Sequence, residues 1–77
     1  MAKLPRDVDP RKVIAALGRL GWQLHSTRGS HVHLAHPDKP GIVLTVPFHV
    51  GRGVSPGALR SLLRIAGISV DEFVEQL

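Results

Sequence analysis

The chain has no cysteine and no tyrosine, and its only aromatic residues are Trp22, Phe48 and Phe73. Without cysteine there are no disulfides and no thiolate chemistry. Three aromatics are too few for a platform of stacked bases, which argues against single-strand nucleic-acid binding by stacking. No segment approaches the ~18 apolar residues of a membrane helix, and Met1-Ala2-Lys3-Leu4-Pro5-Arg6 lacks the apolar core of a signal peptide. The expectation is a soluble cytoplasmic protein with no membrane contact. Acidic residues are scarce as well. Of the six, Asp71, Glu72 and Glu75 fall in the last seven positions, which leaves residues 1–69 with all ten Lys and Arg against Asp7, Asp9 and Asp38, a net of +7.

Such a field attracts phosphate backbones and makes affinity fall steeply with salt, although a generically basic soluble protein has the same composition. At 77 residues, 43% of them apolar, residues 1–77 make one domain. A chain of that size buries roughly 60–65% of its unfolded surface, so its stability is marginal unless the ends dock or a partner helps.

Local signals give the order of elements. Asp9-Pro10 reads as N-cap and first helical position. Val13, Ile14, Leu17 and Leu20 then recur at helical spacing until Gly21, predicting a helix over about 10–20. Trp22 to Ser26 alternates as a short strand leading into a turn at Thr27-Arg28-Gly29-Ser30. His31 to His36 is a second strand, ended by a turn at Pro37-Asp38-Lys39-Pro40-Gly41, and Ile42 to Val46 is a third, stopped by Pro47. Phe48 to Val54, with Gly51 and Gly53 around Arg52, reads as a mobile loop. Ser55-Pro56 caps a second helix with an apolar stripe of Leu59, Leu62, Leu63 and Ala66, closed by Gly67, with Arg60 and Arg64 on its solvent face. Ser69 with Glu72 is a capping box that opens a short final helix over Val70 to Leu77. The expected fold is α+β in the order α-β-β-β-α-α, a three-stranded antiparallel meander covered by helices on one face. The other sheet face is expected to stay open.

Chemistry concentrates at Gly29-Ser30-His31-Val32-His33-Leu34. Alternation sends Val32 and Leu34 to the core and both imidazoles outward, with His25 on the neighbouring strand expected beside them and His36 on the core side at the strand end. Imidazole titrates near pH ~6.5 and can take or give a proton at neutral pH without a metal or cofactor. On residue type and spacing alone, an outward histidine is also simply a surface residue. A His-x-His pair can ligate zinc, but no cysteine or well-placed carboxylate completes three or four ligands, so no metal site is expected. Ser30 lies in no Gly-x-Ser-x-Gly elbow and has no acid placed to support a triad. Gly41 serves a turn. Gly29 serves either a turn or the approach of a phosphodiester to the backbone, and Arg28 is either a solvated turn residue or a neutraliser of charge at phosphorus.

Further motifs lie on both sides of this stretch: Val13-Ile14 through Leu20-Gly21-Trp22, His36-Pro37, Val46-Pro47-Phe48-His49, and Gly57 through Ile68. In this order and spacing, and together with Gly29-Ser30-His31, they resemble the small HicA toxins of bacterial toxin–antitoxin pairs over about residues 11–77. The resemblance implies a double-stranded-RNA-binding-like fold and an mRNA interferase that needs no metal or cofactor. Its partners would be mRNA and a HicB-type antitoxin. The family's catalytic histidine follows Gly-Ser, which here is His31. Many members carry a second histidine directly after it, whereas this chain has Val32 and its next histidine at 33, leaving His33 as a possible auxiliary group only. The expected RNA-binding set is Arg28, Gly29, Ser30, Arg52, Arg60 and Arg64. A non-catalytic RNA-binding module using the same basic helices, and an adaptor bound only to protein, are the rival readings.

Overall fold

A computed structural model describes residues 2–77. Its elements are α1 (Pro10–Arg19), β1 (Gln23–Arg28), β2 (His31–His36), β3 (Lys39–Pro47), α2 (Pro56–Ala66) and α3 (Val70–Glu75). Each helix begins where its orphan amides find an acceptor. The Asp9 carboxylate accepts the Arg11 amide at 2.9 Å, and the Ser55 hydroxyl accepts that of Ala58 at 3.2 Å. At α3 the box is reciprocal, the Ser69 hydroxyl accepting the Glu72 amide and the Glu72 carboxylate accepting the Ser69 amide, both at 3.1 Å.

The three strands form one antiparallel sheet in the order β1-β2-β3. Val32 and Leu34 of β2 and Leu44 and Val46 of β3 point to one face. There they join Val13, Ala16 and Leu17 of α1, Leu59, Leu62, Leu63 and Ala66 of α2, and Phe73 of α3 in a single buried cluster. The large side chains of this cluster each contribute about 1.5–3 kcal/mol by leaving water, and they hold the helices on one face of the sheet.

The sheet departs from the sequence expectation at both hairpins. β1 does not end at Ser26 but runs on to Arg28, with Thr27 paired to Val32 and Arg28 to His31. The reversal needs only Gly29 and Ser30. Gly29 sits at φ +53° and Ser30 at negative φ, so a glycine at the first central position makes a two-residue loop whose twist matches the strands. Trp22 is not part of the strand. It is buried just ahead of it, whereas β1 is an exposed edge strand that leaves Leu24 67% exposed. The register slips between Leu24 and Ser26, so His25 sits in a bulge and is not aligned with either β2 histidine.

At the second hairpin the loop is only Pro37-Asp38, because His36 already pairs with Lys39. β3 therefore starts at Lys39, not Ile42. The register is next regained at Ala35 opposite Val43, so Pro40, Gly41 and Ile42 form a bulge. Pro40 has no amide for the ladder, and Gly41 takes φ +84°.

His36 is absorbed by structure here. Its Nε2 donates to the Leu20 carbonyl and its Nδ1 accepts the Asp38 amide, both at 3.1 Å, which fixes one tautomer. Its ring meets Trp22 edge-on with centroids 5.2 Å apart. Beside it the Lys39 ammonium donates to the Ala66 carbonyl at the end of α2 and lies 6.0 Å from the Trp22 ring.

Candidate functional site

The open face of the sheet is written by its register. Directly opposed residues in an antiparallel ladder share a face, and those two apart on one strand share it as well. The rows on the side away from the helices are therefore Arg28-His31-Pro47, Ser26-His33-Thr45 and Gln23-Ala35-Val43. None of these nine residues is a carboxylate, so Arg28 gives the face a positive field with no internal counter-charge.

Arg28 and His31 close the β1–β2 hairpin as opposed residues, with Cα atoms about 4.5–5.5 Å apart. Both side chains are exposed, and neither has a hydrogen-bond partner among the described residues. Guanidinium and imidazole thus stand together at the tip of the sheet, free to engage a ligand. His33 lies one row back, about 6.5–7 Å from His31 along the strand. Its Nδ1 is 3.1 Å from the Thr45 hydroxyl, which orients the ring and leaves Nε2 outward. Among the described residues no three of His, Asp and Glu are gathered as metal ligands would be.

Gly29 and Ser30 form the loop that turns this pair together. The Ser30 carbonyl accepts the Phe48 amide at 2.6 Å, which joins the loop to the segment after β3. That segment is better anchored than a mobile loop. The Arg52 amide donates to the His49 carbonyl at 3.0 Å, the Val54 amide donates to the Val8 carbonyl at 2.7 Å, and Val8 and Val54 are both buried. Arg52 is exposed on it, at the rim of a cleft also bordered by Asp7, Asp9, Arg11 and His49. Within that rim Arg11 holds Asp9 in a two-pronged ion pair, at 3.2 and 2.9 Å. The hydrogen bonds from Arg11 keep the Asp9 carboxyl below its ordinary range and raise the Arg11 guanidinium above its own.

Arg60 and Arg64 are brought to no common surface with His31. They lie on the solvent side of α2, whose opposite stripe is buried against the sheet, so the helix layer separates them from the histidine face. The sequence reading missed two features. Assigning Arg28 to a turn concealed its pairing with His31, which the two-residue length of Gly29-Ser30 could have suggested. That Asp7 and His49 border one cleft was not legible because nothing local links positions 7 and 49; the bridge between Val8 and Val54 does.

Helices packed on one face of a three-stranded antiparallel sheet, and an arginine beside a histidine on the other, define a small basic α+β protein. A family model, the HicA toxin of bacterial toxin–antitoxin, matches residues 10–68. The chain belongs to this family and is a toxin of a toxin–antitoxin system. No curated protein matches the chain in sequence. No helix among the described residues is long and apolar enough to cross a membrane.

Proposed function

We propose that this toxin is a metal-independent endoribonuclease that cuts mRNA, with residues 1–77 acting as one domain and a HicB-type antitoxin holding it in check. The observation that carries the reading is the exposed Arg28–His31 pair across the hairpin, on a face without carboxylates.

RNA brings its own nucleophile. A neutral His31 imidazole within roughly 2.6–3.2 Å of a 2′-hydroxyl takes its proton. The freed oxygen attacks the adjacent phosphorus, the bond from phosphorus to the 5′ oxygen breaks, and that oxygen receives a proton from water or a second group such as His33. The products are a 2′,3′-cyclic phosphate and a 5′-hydroxyl. Arg28 offsets the negative charge that grows on the phosphoryl oxygens, and the Gly29-Ser30 loop lets the backbone approach them without a side chain in the way at Gly29. Holding base and phosphate in one geometry accounts for much of the acceleration, since the nucleophile is already tethered to its target. Arg52 meets the RNA beside the hairpin, and Arg60 and Arg64 from the helix layer bind phosphates of flanking RNA.

His31→Ala tests the reading. Cleavage of a labelled RNA should fall by roughly 10²–10⁴-fold, the usual weight of a positioned acid–base group, with folding unchanged because the side chain is exposed. Wild-type cleavage by this variant removes the mechanism. His33→Ala should cost less, because it leaves the Arg28–His31 pair intact.

A further inference from the structure

The cleft between the segment before α1 and the segment after β3 has a volume of about 350 Å³, at the lower end of the roughly 300–1,000 Å³ typical of small-ligand sites. It is held in shape by the chain itself. A Cβ at Gly53 would lie 2.2 Å from the Asp7 carbonyl carbon, so only glycine lets the two backbones touch. Asp7 in turn is the one non-glycine residue at positive φ among the described residues, +51°, and the neighbouring Val54 amide is bonded to the Val8 carbonyl. Strain retained by close packing is typical of positions that a function requires.

The two acids of the rim are not equivalent. The Asp9 carboxylate is spent on the Arg11 guanidinium and on the first turn of α1. Asp7 is exposed, its carboxylate has no hydrogen-bond partner among the described residues, and it shares the cleft with Arg52, while Phe48 and Pro10 supply apolar walls. The cleft is tied to the hairpin through the backbone: Phe48, which lines it and packs against the core, follows Pro47, the residue opposed to His31, and its amide donates to the Ser30 carbonyl.

We propose that this cleft is the base-recognition subsite for the RNA, taking a guanine from the nucleotide next to the phosphate at His31; the placing relative to cleavage rests on the ribonuclease reading. Among the four bases only guanine presents two adjacent donors, N1–H and the N2 amino group, which suit the two oxygens of one carboxylate, here Asp7. It also carries the O6 and N7 acceptors that suit an arginine, here Arg52. Adenine, cytosine and uracil each set an acceptor against the carboxylate.

Titration of the isotopically labelled protein with guanosine 5′-monophosphate and with cytidine 5′-monophosphate, followed by amide NMR shifts, tests the subsite without any cleavage. The guanine nucleotide should shift amides at residues 7 and 48–53 and bind at least about tenfold more tightly. Asp7→Asn should abolish that preference, and asparagine adopts positive φ readily enough to keep the backbone as it is. Arg52→Gln, at an exposed position, should reduce it. Equal binding of the two nucleotides, shifts confined to other surfaces, or an undiminished preference in both variants overturns the subsite. Mapping of cut sites separates the two claims. Cleavage with no guanine preference beside the cut removes the subsite and leaves the ribonuclease. Guanine-selective titration in a protein that cuts nothing removes the ribonuclease and leaves the subsite.

Discussion

Glycine at 53 is a residue whose identity is dictated by contact, and it makes a sharp stability test. Ala at this position puts a methyl group into the Asp7 backbone, which cannot yield as a flexible side chain would. Gly53→Ala should cost on the order of 1–3 kcal/mol, as overpacking commonly does, and lower Tm by roughly 4–8 °C per kcal/mol in a domain this small. Gly18, inside α1, has open space where its Cβ would stand. Gly18→Ala should therefore raise Tm, since alanine is favoured over glycine in a helix by roughly 0.5–1 kcal/mol. Thermal melts of both variants check the pair, and equal shifts in one direction would contradict the packing described at Gly53. His31 was legible at this scale because Gly-Ser before it and the alternation after it both lie within a few positions. Arg28 was not. Its place opposite His31 depends on how many residues the turn consumes, and Thr27-Arg28-Gly29-Ser30 is as good a four-residue turn in composition as Gly29-Ser30 is a two-residue one.

Helices were the most readable elements. The stripe Leu59, Leu62, Leu63 and Ala66 of α2 is buried as the spacing requires, and the Ser69–Glu72 box opens α3. Caps and periodicity are local, so the sequence states them directly. Strand ends and bulges were less readable, because β1 lies uncovered at the sheet edge and its alternation answers to no packed helix. The stretch from Pro40 to Ile42 looked like turn because proline and glycine occur in bulges as well as in turns. Arg60 and Arg64 belong to this scale too. If α2 meets flanking phosphates, each Arg→Ala change should lower the slope of log affinity against log salt by about 0.7–0.9, measured by RNA binding across a salt series with a His31→Ala background to prevent cutting. An unchanged slope confines RNA to the sheet face and the cleft beside it.

Across the molecule, charge and shape point to how such a toxin is restrained. The three acids of residues 71–75 sit together on α3, and the sheet face that bears Arg28 and His31 carries no carboxylate. A shallow, basic, exposed surface is blocked most simply by a protein that covers it, and the field favours an acidic partner and fast association. The antitoxin should therefore occlude His31 and Arg28, stop cleavage, and raise the melting temperature, because any ligand of the folded state does so by mass action. Co-purification with the product of the adjacent reading frame, followed by melting with and without it, checks this. A complex that leaves cleavage intact would place the antitoxin elsewhere. In the proposed mechanism RNA supplies the nucleophile and His31 activates it. Its most direct test is cleavage of one oligonucleotide in two forms, all-ribose and with a single 2′-deoxy sugar at the mapped cut. The deoxy substitution should abolish that cut, and the ribose form should yield a 2′,3′-cyclic phosphate end; undiminished cutting at the deoxy position would rule the mechanism out.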